Sequence, residues 1–148
     1  MNSTHAKRIR YRSILRKYEL PFRSEYIVET QGYGLESGYE AMNKMYASKI
    51  ELPSAIIAIN DFTALGIMQS IRQHSHRIPE DISVVSFDNT FIADSCTPRL
   101  TGIGYNYDQF GDALVETAVA ALEGKNPLKL QLIPPELVVR ESCRNIKR

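Results

Sequence analysis

The chain has 148 residues, 43% of them hydrophobic, with only eight glycines and seven prolines, a make-up that excludes wholesale disorder and fits one globular domain with its own core. Eighteen basic against seventeen acidic side chains leave a formal net charge of +1, so there is no overall electrostatic pull toward nucleic acid or an anionic membrane. Cys96 and Cys143 make neither a CxxC pair nor a metal-ligand cluster with His5, His74 and His76, which excludes a disulfide framework or metal site readable from spacing and fits a reducing cytoplasm.

From residue 3 to about residue 20, Ala6, Ile9, Tyr11, Ile14, Leu15 and Tyr18 recur at helical spacing, with Ser3 or Thr4 as N-cap and Pro21 as the stop. The N-terminus lacks the apolar stretch of a signal peptide, and no apolar run along the chain is long enough to span a membrane. Tyr26, Ile27 and Val28 predict a short strand, residues 31–34 a turn, and residues 35–48 a helix with Tyr39, Met42, Met45 and Tyr46 facing inward. Residues 55–59 (AIIAI) are a continuous apolar run, expected of a strand buried on both faces, and lead through Asn60 and Asp61 into a helix carrying Leu65, Ile67, Met68 and Ile71.

Residues 82–87 (ISVVSF) repeat the strand signal, and a polar loop then runs to Thr97 and Pro98. A short strand is expected near residues 102–105 and a helix over about 107–123, with Phe110, Leu114, Ala118, Ala121 and Leu122 on one face and Gly124 as C-cap. Two short apolar segments, 129–133 and 136–139, flank Pro134 and Pro135, and the basic tail 140–148 is expected to fray. Strands alternating with helices imply βαβ crossovers, hence an α/β fold with a parallel sheet flanked by helices on both sides.

In such a sheet ligands bind beyond the carboxyl ends of the strands, which points to Asn60 and Asp88, each directly after an apolar run. By residue type alone Asn60 and Asp61 are also good helix caps, and Asp88 a turn residue before Asn89. The run Lys7, Arg8, Arg10, Arg12, Arg16 and Lys17 reads as the solvated face of a helix; a nucleic-acid reading of it lacks a recognition motif. An enzyme reading could start from Gly32, Gly34 and Gly38, but their spacing departs from GxGxxG and suits a turn and close helix packing instead. GxSxG, HExxH and P-loop motifs are absent and Asp88 has no partner in sequence for catalysis, so the chain reads as a binding protein and not an enzyme, with no cofactor implied.

Residues 53–66 (PSAIIAINDFTALG) followed by 78–89 (IPEDISVVSFDN) resemble the LacI/GalR family of repressors. Residues 36–39 (ESGY), 97–101 (TPRLT) and 135–142 (PELVVRES) add to the resemblance, which covers essentially the whole chain. It implies a periplasmic-binding-protein-like fold of type I that senses a small molecule, a sugar or sugar derivative, and forms a homodimer. The alternative is a periplasmic sugar-binding protein of a transport system, and the phrase at residues 78–89 favours the regulator.

The resemblance further implies that the chain begins at the first helix of the second ligand-binding lobe, without the DNA-reading headpiece through which operator DNA would be bound, most of the first lobe, or the second lobe's opening strand. Residues 1–100 and 134–142 would belong mainly to that C-terminal lobe, and residues 101–133 to the N-terminal lobe. The helix from Tyr107 would then need another home for Phe110, Leu114 and Ala118, in the same chain or a second copy. By the same resemblance the effector is held by Arg8, Tyr33, Asn60, Asp88 and Tyr107, with Asp61 left as the helix cap. Leu65, Thr90, Phe91 and Cys96 would lie on the surface joining two effector domains.

Overall fold

The computed structural model describes residues 3–125 and 132–146, without the side chains of Ser3 and Thr4, so the N-cap expected there and residues 129–131 of the expected apolar segment lie outside the described residues. In chain order the elements are α1 (Ser3–Lys17), a 3-10 turn (Ser24–Tyr26), α2 (Leu35–Ala47), β1 (Ala55–Ala58), α3 (Asp61–Gln73), β2 (Ser83–Asp88), α4 (Phe91–Ser95), β3 (Thr101–Gly104), α5 (Tyr107–Leu122) and β4 (Glu136–Val138). The four strands form one sheet in the order β1-β2-β3-β4, parallel from β1 to β3, with β4 added antiparallel to β3. The expected α/β sheet is therefore present, and only its last strand runs against the others.

The core lies between the sheet and the α2–α3 pair. Met68, Ile71, Ile82, Val84 and Leu100 are fully buried and meet Met42, Met45, Ala58, Ala64 and Ala93. Each buried side chain of this size contributes about 1.5–3 kcal/mol of transfer free energy. The two helices touch backbone to backbone: a β-carbon on Gly38 would collide with the Thr63 carbonyl, and one on Gly66 with the Leu35 carbonyl and the Tyr39 amide. Glycine at both positions is what lets α2 and α3 approach so closely.

Several expectations need correction. Residues 26–28 form no strand: the 3-10 turn ends at Tyr26, whose hydroxyl donates to the Glu51 carbonyl at 2.9 Å, and the extended stretch after it lies outside the sheet, whose edge is β1. Without a ladder partner an extended segment is not a strand. For the same reason β1 is not buried on both faces; it is an edge strand, and Ile57 is 56% exposed. On that second face Lys7 of α1 reaches over the Phe87 ring, 4.3 Å from its centroid, while Leu137 stays exposed, so helix coverage there is partial. The apolar positions Ile9 and Ile14 of α1, and Tyr18 just after it, are likewise exposed.

The loop expected after Asp88 contains the short helix α4, capped by Thr90 Oγ1, which accepts from the Ile92 amide at 3.3 Å. β3 starts at Thr101 and pairs with β2, so residues 101–104 belong to this sheet. α5 follows, and its apolar face finds no cover within the described chain: Leu114 is 57% exposed and Phe110 44%. The start of the tail does not fray. Ser142 is fully buried, its hydroxyl donating to the Val84 carbonyl at 2.6 Å and accepting from the Thr101 amide at 2.8 Å, while Arg140 pairs with Asp94 at 2.7 Å.

Candidate functional site

Three successive strands deliver polar groups to one edge of the sheet. β1 leads to Asn60, β2 ends at Asp88, and β3 leads through Tyr105 and Asn106 to Tyr107 at the start of α5. Because β1, β2 and β3 are parallel and in register, these residues share the carboxyl edge where open α/β sheets place their ligands.

Asn60 has extended backbone and caps α3: its Oδ1 accepts from the Thr63 amide at 2.8 Å. Its Nδ2 donates to the Tyr33 carbonyl at 2.9 Å, and the Thr63 hydroxyl donates to the same carbonyl at 3.0 Å. The loop carrying Tyr33 is thus tied to the α3 N-terminus, leaving the Tyr33 ring exposed at its tip. The cap expected at Asp61 is therefore at Asn60, one residue earlier. Asp61 is only 1% exposed and turns inward. It accepts a short hydrogen bond from the Ser86 hydroxyl, and its Oδ2 accepts from the Thr90 amide and the Thr90 hydroxyl, both at 2.7 Å.

Asp88 carries its carboxylate at the exposed end of β2, and its backbone carbonyl accepts from the Tyr107 hydroxyl at 3.0 Å. Partial burial raises the Asp88 pKa; neighbouring Asp61 adds to the rise, and Lys7 opposes it. A carboxylate so placed is favoured by hydrogen-bond donors that compensate its lost hydration. Arg8, also on α1, makes a loose 3.4 Å ion pair with Glu29, both side chains well exposed. That pair is weak enough to be exchanged for another acceptor.

The structure therefore joins Tyr33 to Asn60 and Asp88 to Tyr107 by hydrogen bonds, and places Lys7, the neighbour of Arg8, against Phe87 beside Asp88. Lys7 and Tyr105 were not among the residues expected at the site; the alternation of β3 and the basic run in α1 were the available signals. A hollow of about 310 Å³ between α5 and residues 132–134 is lined by none of the five candidates. Of the expected interface residues, Phe91 is 79% exposed and Leu65 half-buried, whereas the Thr90 hydroxyl is committed inward to Asp61 and the Cys96 thiol donates to the Pro98 carbonyl at 3.3 Å.

Among the described residues no group of three or more His, Cys, Asp or Glu side chains could hold a metal ion, and no helix is long and apolar enough to cross a membrane.

Residues 2–143 match the family model of the periplasmic binding protein-like domain. The chain is 33% identical over 133 residues to the HTH-type transcriptional regulator DegA of Bacillus subtilis (strain 168), an alignment that covers 89% of this chain and 39% of that protein. Among solved structures, a LacI-type transcription regulator from Bifidobacterium animalis subsp. lactis superposes with a TM-score of 0.80 at 27% identity, covering 88% of this chain and 47% of the other. The transcriptional regulator CelR in complex with cellobiose superposes with a TM-score of 0.75 at 25% identity, covering 89% of this chain and 40% of the other. The chain thus spans less than half the length of these relatives.

Proposed function

This chain belongs to the family of periplasmic binding protein-like domains, in the branch formed by the LacI/GalR regulators, and on that premise we propose that it is the effector-sensing and dimer-forming part of a transcriptional regulator. The transport alternative is set aside because the relatives are transcriptional regulators. The observation that carries the reading is the placement of Tyr33, Asn60, Asp88 and Tyr107 at the carboxyl edge, where hydrogen bonds join Asn60 to Tyr33 and Tyr107 to Asp88.

The effector is a small polyhydroxylated molecule, a sugar or sugar derivative. Asp88 accepts from its hydroxyls, Arg8 swings from Glu29 to offer paired donors, and the exposed Tyr33 and Tyr107 rings provide flat apolar surface for a sugar face. The cellobiose complex of CelR supports a sugar of this kind. Asn60 contributes only the capacity left after its cap and its bond to Tyr33. Binding stabilises one arrangement of the ligand-binding lobes to the extent that affinity differs between the two arrangements. Operator DNA is contacted by a helix-turn-helix headpiece and not by these residues, whose net charge is +1. Leu65 and Phe91 form part of the surface joining two copies, the protein acts in the cytoplasm, and it catalyses no reaction.

Titration calorimetry against monosaccharides, disaccharides including cellobiose, sugar phosphates and nucleobases tests this, repeated with Arg8→Ala and Asp88→Ala. We expect one saturable sugar or sugar-derivative ligand whose binding is lost in both variants. Binding that survives unchanged in both would remove the assigned site.

A further inference from the structure

β2 does not leave the sheet through an ordinary turn. Asp88 has φ of 120° and Asn89 of 53°, two successive residues in the left-handed half of backbone space that non-glycine residues seldom enter. The corner is fixed on every side. Asp88 is still in register with Gly104 of β3, its carbonyl is held by Tyr107, and Thr90 immediately after it is bound twice by Asp61. Gly104 supplies the room: a β-carbon there would lie 2.6 Å from the Asn89 β-carbon and closer still to the Asp88 carbonyl oxygen.

Asn89 itself has a buried Oδ1 with no hydrogen-bond partner among the described residues. What asparagine offers is tolerance of a left-handed backbone that β-branched residues lack.

We propose that Asn89 is a positioning residue of the effector site: its left-handed backbone, accommodated over Gly104, holds the corner that presents the Asp88 carboxylate at the carboxyl edge. The inference rests on the reading of Asp88 as an effector contact. Asn89 acts through Asp88 and touches no effector.

The raised pKa of Asp88 supplies a readout that needs no effector. The experiment is a carbon-detected NMR titration of the Asp88 carboxyl in the 148-residue chain, comparing the unaltered protein with Asn89→Gly, Asn89→Val and Gly104→Ala, each checked for folding by circular dichroism. Asn89→Gly, free to adopt φ near 53°, should keep the unaltered midpoint. Asn89→Val and Gly104→Ala should bring it down toward the ordinary carboxylate range, as the corner opens and the carboxylate moves into water. Should Asn89→Val fail to fold, Gly104→Ala decides, because alanine is compatible with a strand and only its β-carbon disturbs the corner. An unchanged midpoint in the folded disruptive variants, or a midpoint in Asn89→Gly that falls as far as theirs, would overturn the proposal. The midpoint reports the corner whether or not a sugar binds, so failure here is distinct from failure of the calorimetric panel.

Discussion

At the end of β1 two neighbouring side chains point in opposite directions. Asn60 caps α3 and holds the Tyr33 loop, while Asp61 faces inward and joins β2 to the start of α4 through Ser86 and Thr90. Asparagine and aspartate are equally good caps, so their order in sequence could not tell which would cap. The choice was made by hydroxyl groups 25 and 29 residues away. Asp61→Ala leaves those groups unpaired inside the protein, and we expect it to destabilise the fold by about 3 kcal/mol, measured by urea unfolding. A loss below about 1 kcal/mol would show that the clamp is not structural.

Asp81 makes a contrasting, exposed case. Its carboxylate accepts from the Arg77 guanidinium and backbone amide, and the guanidinium hydrogen bond, with that amide next, lowers its pKa from 3.8 to about 2. A folded-state pKa below the unfolded one gives a contribution that is present above about pH 4 and lost as pH falls through about 2. Asp81→Asn should therefore lower the melting temperature near neutral pH, and the difference between the two proteins should close as pH falls below about 2, where the folded unaltered protein loses the charge as well.

Among elements, legibility followed periodicity and partnership. α2, α3 and α5 were visible because apolar residues repeat at helical spacing over 13 to 16 residues. α4, with five residues, is too short to show a period, and residues 26–28 have strand composition but no neighbour in the sheet. The pinning of Ser142 was invisible for a similar reason: one serine in a basic tail gives no sign that its hydroxyl will bridge β2 and β3. Close helix packing was legible at Gly38, whereas Gly66 was visible only as a helical glycine, a mild cost in isolation. Their value lies in the contact between α2 and α3. Gly66→Ala should accordingly cost about 2–3 kcal/mol in thermal or urea unfolding, despite the better helix propensity of alanine. A stabilising or neutral result would mean that the two helices separate without penalty.

For the whole molecule, the fold class was legible, and so was the edge of the sheet at which Asn60, Asp88 and Tyr107 gather, because alternating strands and helices fix both. The direction of the last strand was not: β4 runs antiparallel to β3. Phe91 and Phe62 stand exposed on adjoining elements, α4 and α3, beside half-buried Leu65. If this surface joins two copies as proposed, Phe91→Glu should shift the protein from dimer toward monomer in sedimentation velocity, with little change in melting temperature extrapolated to low concentration. A protein that sediments as a monomer before substitution would sink the interface assignment.

The alternation at the strand ends has a consequence for how such a domain can be re-specified. Asp88 and Tyr33 are exposed, whereas the groups that hold the corners are the buried Asp61 and Ser86 together with Thr90, Gly104 and the Tyr107 hydroxyl. On the proposed assignment, recognition and scaffold are interleaved along the chain, and Tyr107 belongs to both. A library that randomises only Tyr33 and Asp88 should retain folding in most of its members while altering which small molecules are bound, and Asp61, Ser86, Asn89, Thr90, Gly104 and Tyr107 mark the positions such a library must leave untouched.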